Sequence, residues 1–414
     1  MRFVLAFISF FMLILSYIQL PQKFYLFLIL IFFGFSFLFI FRDRGFFRFC
    51  LKNKLVILIF LVIIISYFNT NNPNVSIQVK LLDILNWTIC FLYFLNYVKF
   101  CLETNRNPFS PVVNGLIVFI CLNLLIYFIF GNIRSTTPDI ENVLFRLLTG
   151  QETFKANFLL GSLSINHNAM LIAFLSPLIF QYSSKLLKRF YLIIVLFALI
   201  LLDNRMSILA ILMALVLFYP LKIIRLSRVT KLIIILIPSF VMLILAVLPL
   251  VVSTIGLDFF SRNSEELITA NSRTFIWVSV IEILKELNFQ TIFGSGDYGN
   301  LAYKQFTDYL SIFVNYEDSE VKTVHNTYLQ LILDKGYLFL FIFYFFLVKY
   351  VNMLFKNRNS KFFQTFIISF MIFLFCGTTE VIFGSYFIPI TFFLLIMYVV
   401  ISNINSRNTV KYEI

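Results

Sequence analysis

Charge is scarce in this chain. Only 13% of its 414 residues are Asp, Glu, Lys or Arg, while 60% are hydrophobic. Soluble domains run about 45–50% apolar, so this composition cannot furnish a water-facing surface for a domain of this size. Histidine is scarcer still, with two residues, His167 and His325. Carboxylate–histidine spacing suited to a metal is missing, as are a Gly-rich nucleotide loop and an Asp-x-Asp nucleotide-sugar site. Neither a metal nor a cofactor is expected, and a soluble nucleotide-sugar donor is disfavoured. The five cysteines, Cys50, Cys90, Cys101, Cys121 and Cys376, lie in apolar runs or short basic segments. They do not read as a disulfide framework.

What the chain has in abundance is bilayer-length apolar sequence. Runs appear at 3–20, 24–41, 55–68, 81–98, 112–130, 158–182, 190–202, 206–224, 232–256, 336–354, 362–378 and 381–401. The reading is an all-α polytopic membrane protein, one membrane domain over 1–414, with about twelve spans at roughly 20 residues per crossing. The first run has no small-residue cleavage site after it and reads as a span. The run 190–202 is short for a crossing. It is followed by the tight turn Asp203-Asn204-Arg205, which places Arg205 near the headgroup phosphates.

The net charge of +13 is distributed as a topogenic signal. With the N-terminus inside, the basic clusters Arg42, Arg44, Arg48, Lys52 and Lys54, then Lys185, Lys188 and Arg189, then Lys222, Arg225, Arg228 and Lys231, and then Lys356, Arg358 and Lys361 all fall on the cytoplasmic side. Asp43, Glu103 and Glu413 are the acids that accompany them. This alternation follows the positive-inside bias. Both termini are therefore cytoplasmic, and no nucleic-acid footprint is indicated.

Polar residues concentrate in outer segments. Residues 131–157 contain a short helix pattern, Val143, Leu144, Leu147 and Leu148, that suits an element lying on the outer surface. Residues 257–335 form a large outer loop. In it, Asn271 or Ser272 can cap a helix SRTFIWVSVIEILKEL, apolar at Ile276, Val280, Ile283 and Leu287, the run FGSGDYGN follows, and HNTYLQLILDKG closes the loop at Gly336. Almost no ionisable group lies near mid-membrane apart from His167. This disfavours an ion-coupled transporter, which places charge at the midplane. It favours an enzyme working at the outer leaflet. Arginine forks suit a lipid-linked phosphate or diphosphate, and a histidine titrating near neutrality suits deprotonation of a hydroxyl.

These residues resemble the O-antigen polymerase and O-antigen ligase superfamily of bacterial surface-polysaccharide assembly. His325, Asn326, nine further residues and Gly336 fit that family's loop motif. NSRTFIWVSVIEIL with FGSGDYGN is similar to its loop arginine helix, which points to Arg273, and NRMSILAIL to its span-opening arginine, Arg205. The resemblance implies inverting, metal-independent transfer from an undecaprenyl-diphosphate-linked oligosaccharide at the periplasmic face of the inner membrane. His325 would be the catalytic base, and Arg205 and Arg273 would hold the diphosphate. A chain-length regulator membrane protein is a candidate partner. Phe339 stands where the motif often has Gly, Thr or Tyr, so polymerisation is preferred over ligation to lipid A–core.

Plainer roles exist for each residue. Asn326, Gly336, His167 and Glu380 are cleft candidates, but Asn166, His167 and Asn168 also suit interhelical hydrogen bonding. Glu380 also suits a span-end charge. Arg205 could snorkel, and Arg273 could make a surface ion pair. A flippase for lipid-linked oligosaccharide is the rival from another class. It would require a charged central cavity and repeat symmetry, and neither is visible in the hydropathy.

Overall fold

The computed structural model describes residues 45–68, 77–104, 106–132, 141–160, 165–181, 184–223, 227–234, 236–237, 273–296, 299–303, 306, 323–356 and 361–382. Among these residues the protein is all-helical, with a lone antiparallel bridge between Glu141 and Phe154. The expected runs 3–20 and 24–41, most of 232–256, and nearly all of 381–401 lie outside the described residues, as do Asn271 and Ser272.

The order of helices is α1 (Phe46–Lys52), α2 (Lys54–Phe68), α3 (Ile77–Glu103), α4 (Ser110–Phe130), α5 (Val143–Thr149), α6 (Ile165–Leu175), α7 (Lys185–Leu202), α8 (Arg205–Ile223), α9 (Arg273–Leu284), α10 (Phe289–Phe293), α11 (Thr327–Lys356) and α12 (Lys361–Cys376). Two of them, α4 and α11, are long and apolar enough to cross a membrane by length and composition. Segments Arg205–Tyr219 and Phe362–Cys376 are apolar but shorter.

Two expected spans differ in the structure. The run 190–202 belongs to an 18-residue helix, α7, which starts at Lys185 behind the cap of Ser184, whose Oγ accepts from Leu187 N. At 1.5 Å per residue that is roughly 27 Å, close to a bilayer core. The basic residues Lys185, Lys188 and Arg189 extend the helix, because long cationic side chains can keep their heads in water from the first turns. The run 158–182 is α-helical over Ile165–Leu175 and continues as a 3₁₀ turn over Ser176–Gln181. Pro177 lacks the N–H that an α-helical bond would need there.

The centre of the bundle is α12. From Phe363 to Cys376 its described hydrophobic residues are buried, and so are Thr365 and Ser369. A helix apolar all round is buried all round. It packs against α6, α8, α11 and the 3₁₀ turn after α6. Lipid tails are as apolar as leucine, so close packing and polar contacts hold such helices together. One such contact joins Gln181 to Thr365, and another joins Tyr328 Oη to the carbonyl of Leu374 at 3.0 Å.

Residues of α9 fold onto the start of α11. Ile276, Trp277, Val280, Ile283 and Leu284 of α9 cluster with Val324, Leu329, Ile332 and Leu333. Helix α11 is broken at Gly336, where φ is 83° and ψ is 169°, a conformation essentially restricted to glycine. The break ends a nine-residue helical segment, 327–335, whose last carbonyls would otherwise be orphaned. Ser295 N donates to Leu333 O and Gly296 N to Asp334 O, both at 2.9 Å, so the Gly-rich turn caps the segment backbone to backbone. A Cβ at Gly336 would lie 2.1 Å from the Ile292 carbonyl oxygen, and one at Gly294 would lie 2.3 Å from that of Asp334. Gly336→Ala is therefore expected to destabilise the detergent-purified protein by at least about 2 kcal/mol, read as thermal unfolding. Gly150→Ala, also at positive φ but facing open space, should cost about half that.

Candidate functional site

His325 sits at the head of α11 with φ at 49°. That left-handed backbone is uncommon for a residue with a side chain and is held here by contacts on both sides. Before it, Val324 N donates to Gln330 Oε1 at 3.0 Å, and Trp277 Nε1 donates to the Val324 carbonyl at 2.9 Å. After it, Asn326 caps α11. Its Oδ1 accepts from Leu329 N at 3.0 Å, and its Nδ2 donates to the Thr378 carbonyl at 2.7 Å. Thr327 N donates to Gly377 O, and Thr327 Oγ1 donates to Glu380 O at 2.8 Å. The two arms of the site, 324–327 and 377–380, are thus stitched along their backbones.

The stitching brings His325 Nδ1 to 3.1 Å from Glu380 Oε2. The glutamate side chain is 3% exposed and the imidazole 33%. A carboxylate buried this deeply needs hydrogen-bond donors around it. Its other oxygen, Oε1, accepts from Asn166 Nδ2 at 2.8 Å. Asn166 Oδ1 accepts in turn from Asn204 Nδ2 at 2.8 Å. Asn204 Oδ1 caps α8 by accepting from Ser207 N at 2.7 Å. A continuous line of bonds thus runs from His325 to the N-terminus of the helix that Arg205 opens.

The turn before Arg205 is anchored from its other side. Asp203, at φ 44°, is buried. Its carboxylate accepts from Val143 N at 3.3 Å and Leu144 N at 3.2 Å, and pairs with Lys155 at 3.5 Å. Asn142 caps the same surface helix, α5, through Phe145 N and also reaches the Ile200 and Leu201 carbonyls at 3.0 Å. The expected short helix over Val143–Thr149 is therefore present, and it is fastened to the hairpin that carries Asn204 and Arg205.

The candidate residues thus fall into distinct places. His325 and Glu380 touch. Arg205 is half-buried, directly after Asn204. His167 is the residue after Asn166 on α6 and is half-buried. Asn326 is fully buried, with its amide engaged inside the fold. Gly336 lies at the far end of the 327–335 segment, roughly 15 Å along the helix from His325. The backbone of Arg273 opens α9, while its side chain lies outside the described residues. Burial pushes the Tyr303 phenol above its ordinary value of 10, so it keeps its proton. Sequence reasoning had no hold on Asp203, Asn142, Trp277 or Gln330. Asn204, an Asn directly before an apolar run, carried a helix-start signal that went unused.

Residues 190–345 match the family model described as O-Antigen ligase. The match supports the resemblance to the O-antigen ligase and polymerase superfamily, whose members are membrane enzymes of the glycosyltransferase type. It spans Arg205, Arg273, His325 and Gly336, whereas Asn166 and Glu380 lie outside it. No curated protein matches the chain.

Because the Asn326 amide serves the fold, Asn326→Ala is expected to lower unfolding stability by about 1–2 kcal/mol. Asn326→Ser restores the cap and should recover part of the loss in the same thermal assay.

Proposed function

We propose that this chain polymerises lipid-linked repeat units into O-antigen or capsular polysaccharide at the periplasmic face of the bacterial inner membrane. In this reading about twelve helices cross the bilayer, both termini are cytoplasmic, and residues 257–335 form the periplasmic loop over the site. The donor is an undecaprenyl-diphosphate-linked oligosaccharide. The observation that carries the reading is the half-exposed His325 backed by the buried Glu380 carboxylate at 3.1 Å.

An acceptor sugar hydroxyl approaches His325, whose Nε2 takes its proton as the oxygen attacks the anomeric carbon of the donor. The new C–O bond forms on the face opposite the diphosphate. The bond from the anomeric carbon to the diphosphate breaks with inversion, and undecaprenyl diphosphate departs. Negative charge grows on that leaving group, and Arg205 and Arg273 are the residues proposed to receive it. Glu380 orients the imidazole and stabilises its protonated form, a contribution of general-base type worth about 10²–10⁴-fold in rate. A second reading, ligation of finished glycan to lipid A–core, is favoured by the description of the matching family. Polymerisation is preferred on Phe339, where the resembling motif often carries Gly, Thr or Tyr. The two reactions share donor, leaving group and base.

A gel of surface glycan and carrier-linked glycan from a deletion strain tests this. A lipid A–core bearing a single repeat unit is the expected result. Long chains stranded on the carrier over a bare core would transfer the assignment to the ligase. Normal profiles of both would overturn the glycosyltransferase reading.

A further inference from the structure

The line of hydrogen bonds from α8 to His325 has a direction, and that direction determines which imidazole nitrogen is basic. It begins at a backbone N–H, which can only donate. Ser207 N therefore requires the carbonyl oxygen of Asn204, so the amide NH2 of Asn204 must face Asn166. Asn166 then presents its own oxygen to Asn204 and its NH2 to Glu380 Oε1. Reversing either amide would set like atoms against each other within hydrogen-bond distance. Glu380, receiving at one oxygen, offers the other to His325 Nδ1 at 3.1 Å. The Asn166 donor favours the ionised form of the acid, and an ionised carboxylate only accepts. Nδ1 therefore carries the hydrogen, and the lone pair of the neutral ring is on Nε2. A Glu380 that lost this donor and took up a proton would instead donate to Nδ1.

The geometry points to Asn166 and Asn204 as positioning residues that hold His325 in the Nδ1–H tautomer, with Nε2 as its proton acceptor. The inference rests on the reading of His325 as the general base. It adds two residues, one on α6 and beyond the stretch that matches the family, the other the cap of α8. It also joins the base mechanically to the helix that begins with Arg205. The base and one arm of the leaving-group site thereby share a common support, so a shift of α8 would disturb both.

The informative substitution is Asn204→Asp. Aspartate caps a helix as well as asparagine does, so the Ser207 N–H stays satisfied. The new carboxylate can only accept, however, and Asn166 has one NH2 for two carboxylates. The test uses full-length protein in lipid nanodiscs, labelled with ¹⁵N-histidine and studied across about pH 7–10. The His325 signals are identified by their loss in His325→Ala. Wild type is expected to show the Nδ1–H pattern. Asn204→Asp should show a mixture of tautomers and a kcat lower by about tenfold, the equivalent of one hydrogen bond. The acceptor KM should be unchanged, while the new buried carboxylate is expected to lower the unfolding temperature. Asn166→Ala should give the same tautomer mixture through the other link, which covers the case in which Asn204→Asp fails to fold. An Nε2–H pattern in wild type, or Asn204→Asp with unchanged tautomer and turnover, would overturn the relay. Full turnover in His325→Ala would instead overturn the base assignment itself.

Discussion

Glu380 is a buried carboxylate around which separate parts of the chain have to agree. An unpaired charge in that position would cost several kcal/mol. The structure meets the cost with one donor from α6, one from the head of α11, and a turn at the end of α12 that fixes the glutamate backbone. Each partner is tied down further on. Asn166 leans on the cap of α8, and His325 is braced by Trp277 and Gln330 through Val324. Removing the acid would leave a set of oriented dipoles with nothing to point at. The helices are chiefly apolar cylinders, for which a bilayer offers little preference between partners. The polar line through Glu380 gives them a specific arrangement.

The outer segments follow from the same constraint. The 327–335 helix is short and would fray alone, since isolated short helices are marginal. It is closed at its start by Asn326 and at its end by the Gly-rich turn, and α9 covers its apolar side. The nine-residue spacing between Asn326 and Gly336 is thus the length of a helix measured between two fixed ends. A histidine in left-handed backbone at the head of such a segment is placed by the scaffold and not by its own preference.

Parts of this were legible in the sequence and parts were not. The helical class, the helix at 143–149 and the break at Gly336 all follow from local signals, namely apolar runs and turn residues. The start of α7 was misjudged because Lys185, Lys188 and Arg189 mark a loop by charge yet sit in helix by geometry. Helix α6 gave way at Pro177 to a 3₁₀ turn, an effect that a hydropathy window averages out. Glu380 reads in the sequence as a cleft candidate or a span-end charge, and its pairing with His325 is not legible there because the two lie 55 residues apart in the chain. The Asn166–Glu380 contact spans 214 residues, and no periodicity or spacing rule reaches that far. Arg205 and Arg273 owe their candidacy to resemblance. The described structure adds for Arg205 only its place beside Asn204, and for Arg273 only its place at the start of α9.

The proposed role of the buried carboxylate, to make His325 a base, is tested most directly by Glu380→Gln. The replacement keeps the size of the side chain but turns one of its acceptors into a donor: with its oxygen on Asn166, its NH2 faces His325 Nδ1 and favours the Nε2–H tautomer. Turnover of an undecaprenyl-diphosphate-linked donor by the reconstituted protein should fall by at least about a hundredfold, while donor binding persists and the protein remains folded. Wild-type turnover in Glu380→Gln would contradict the account and reduce the His325–Glu380 contact to a structural ion pair.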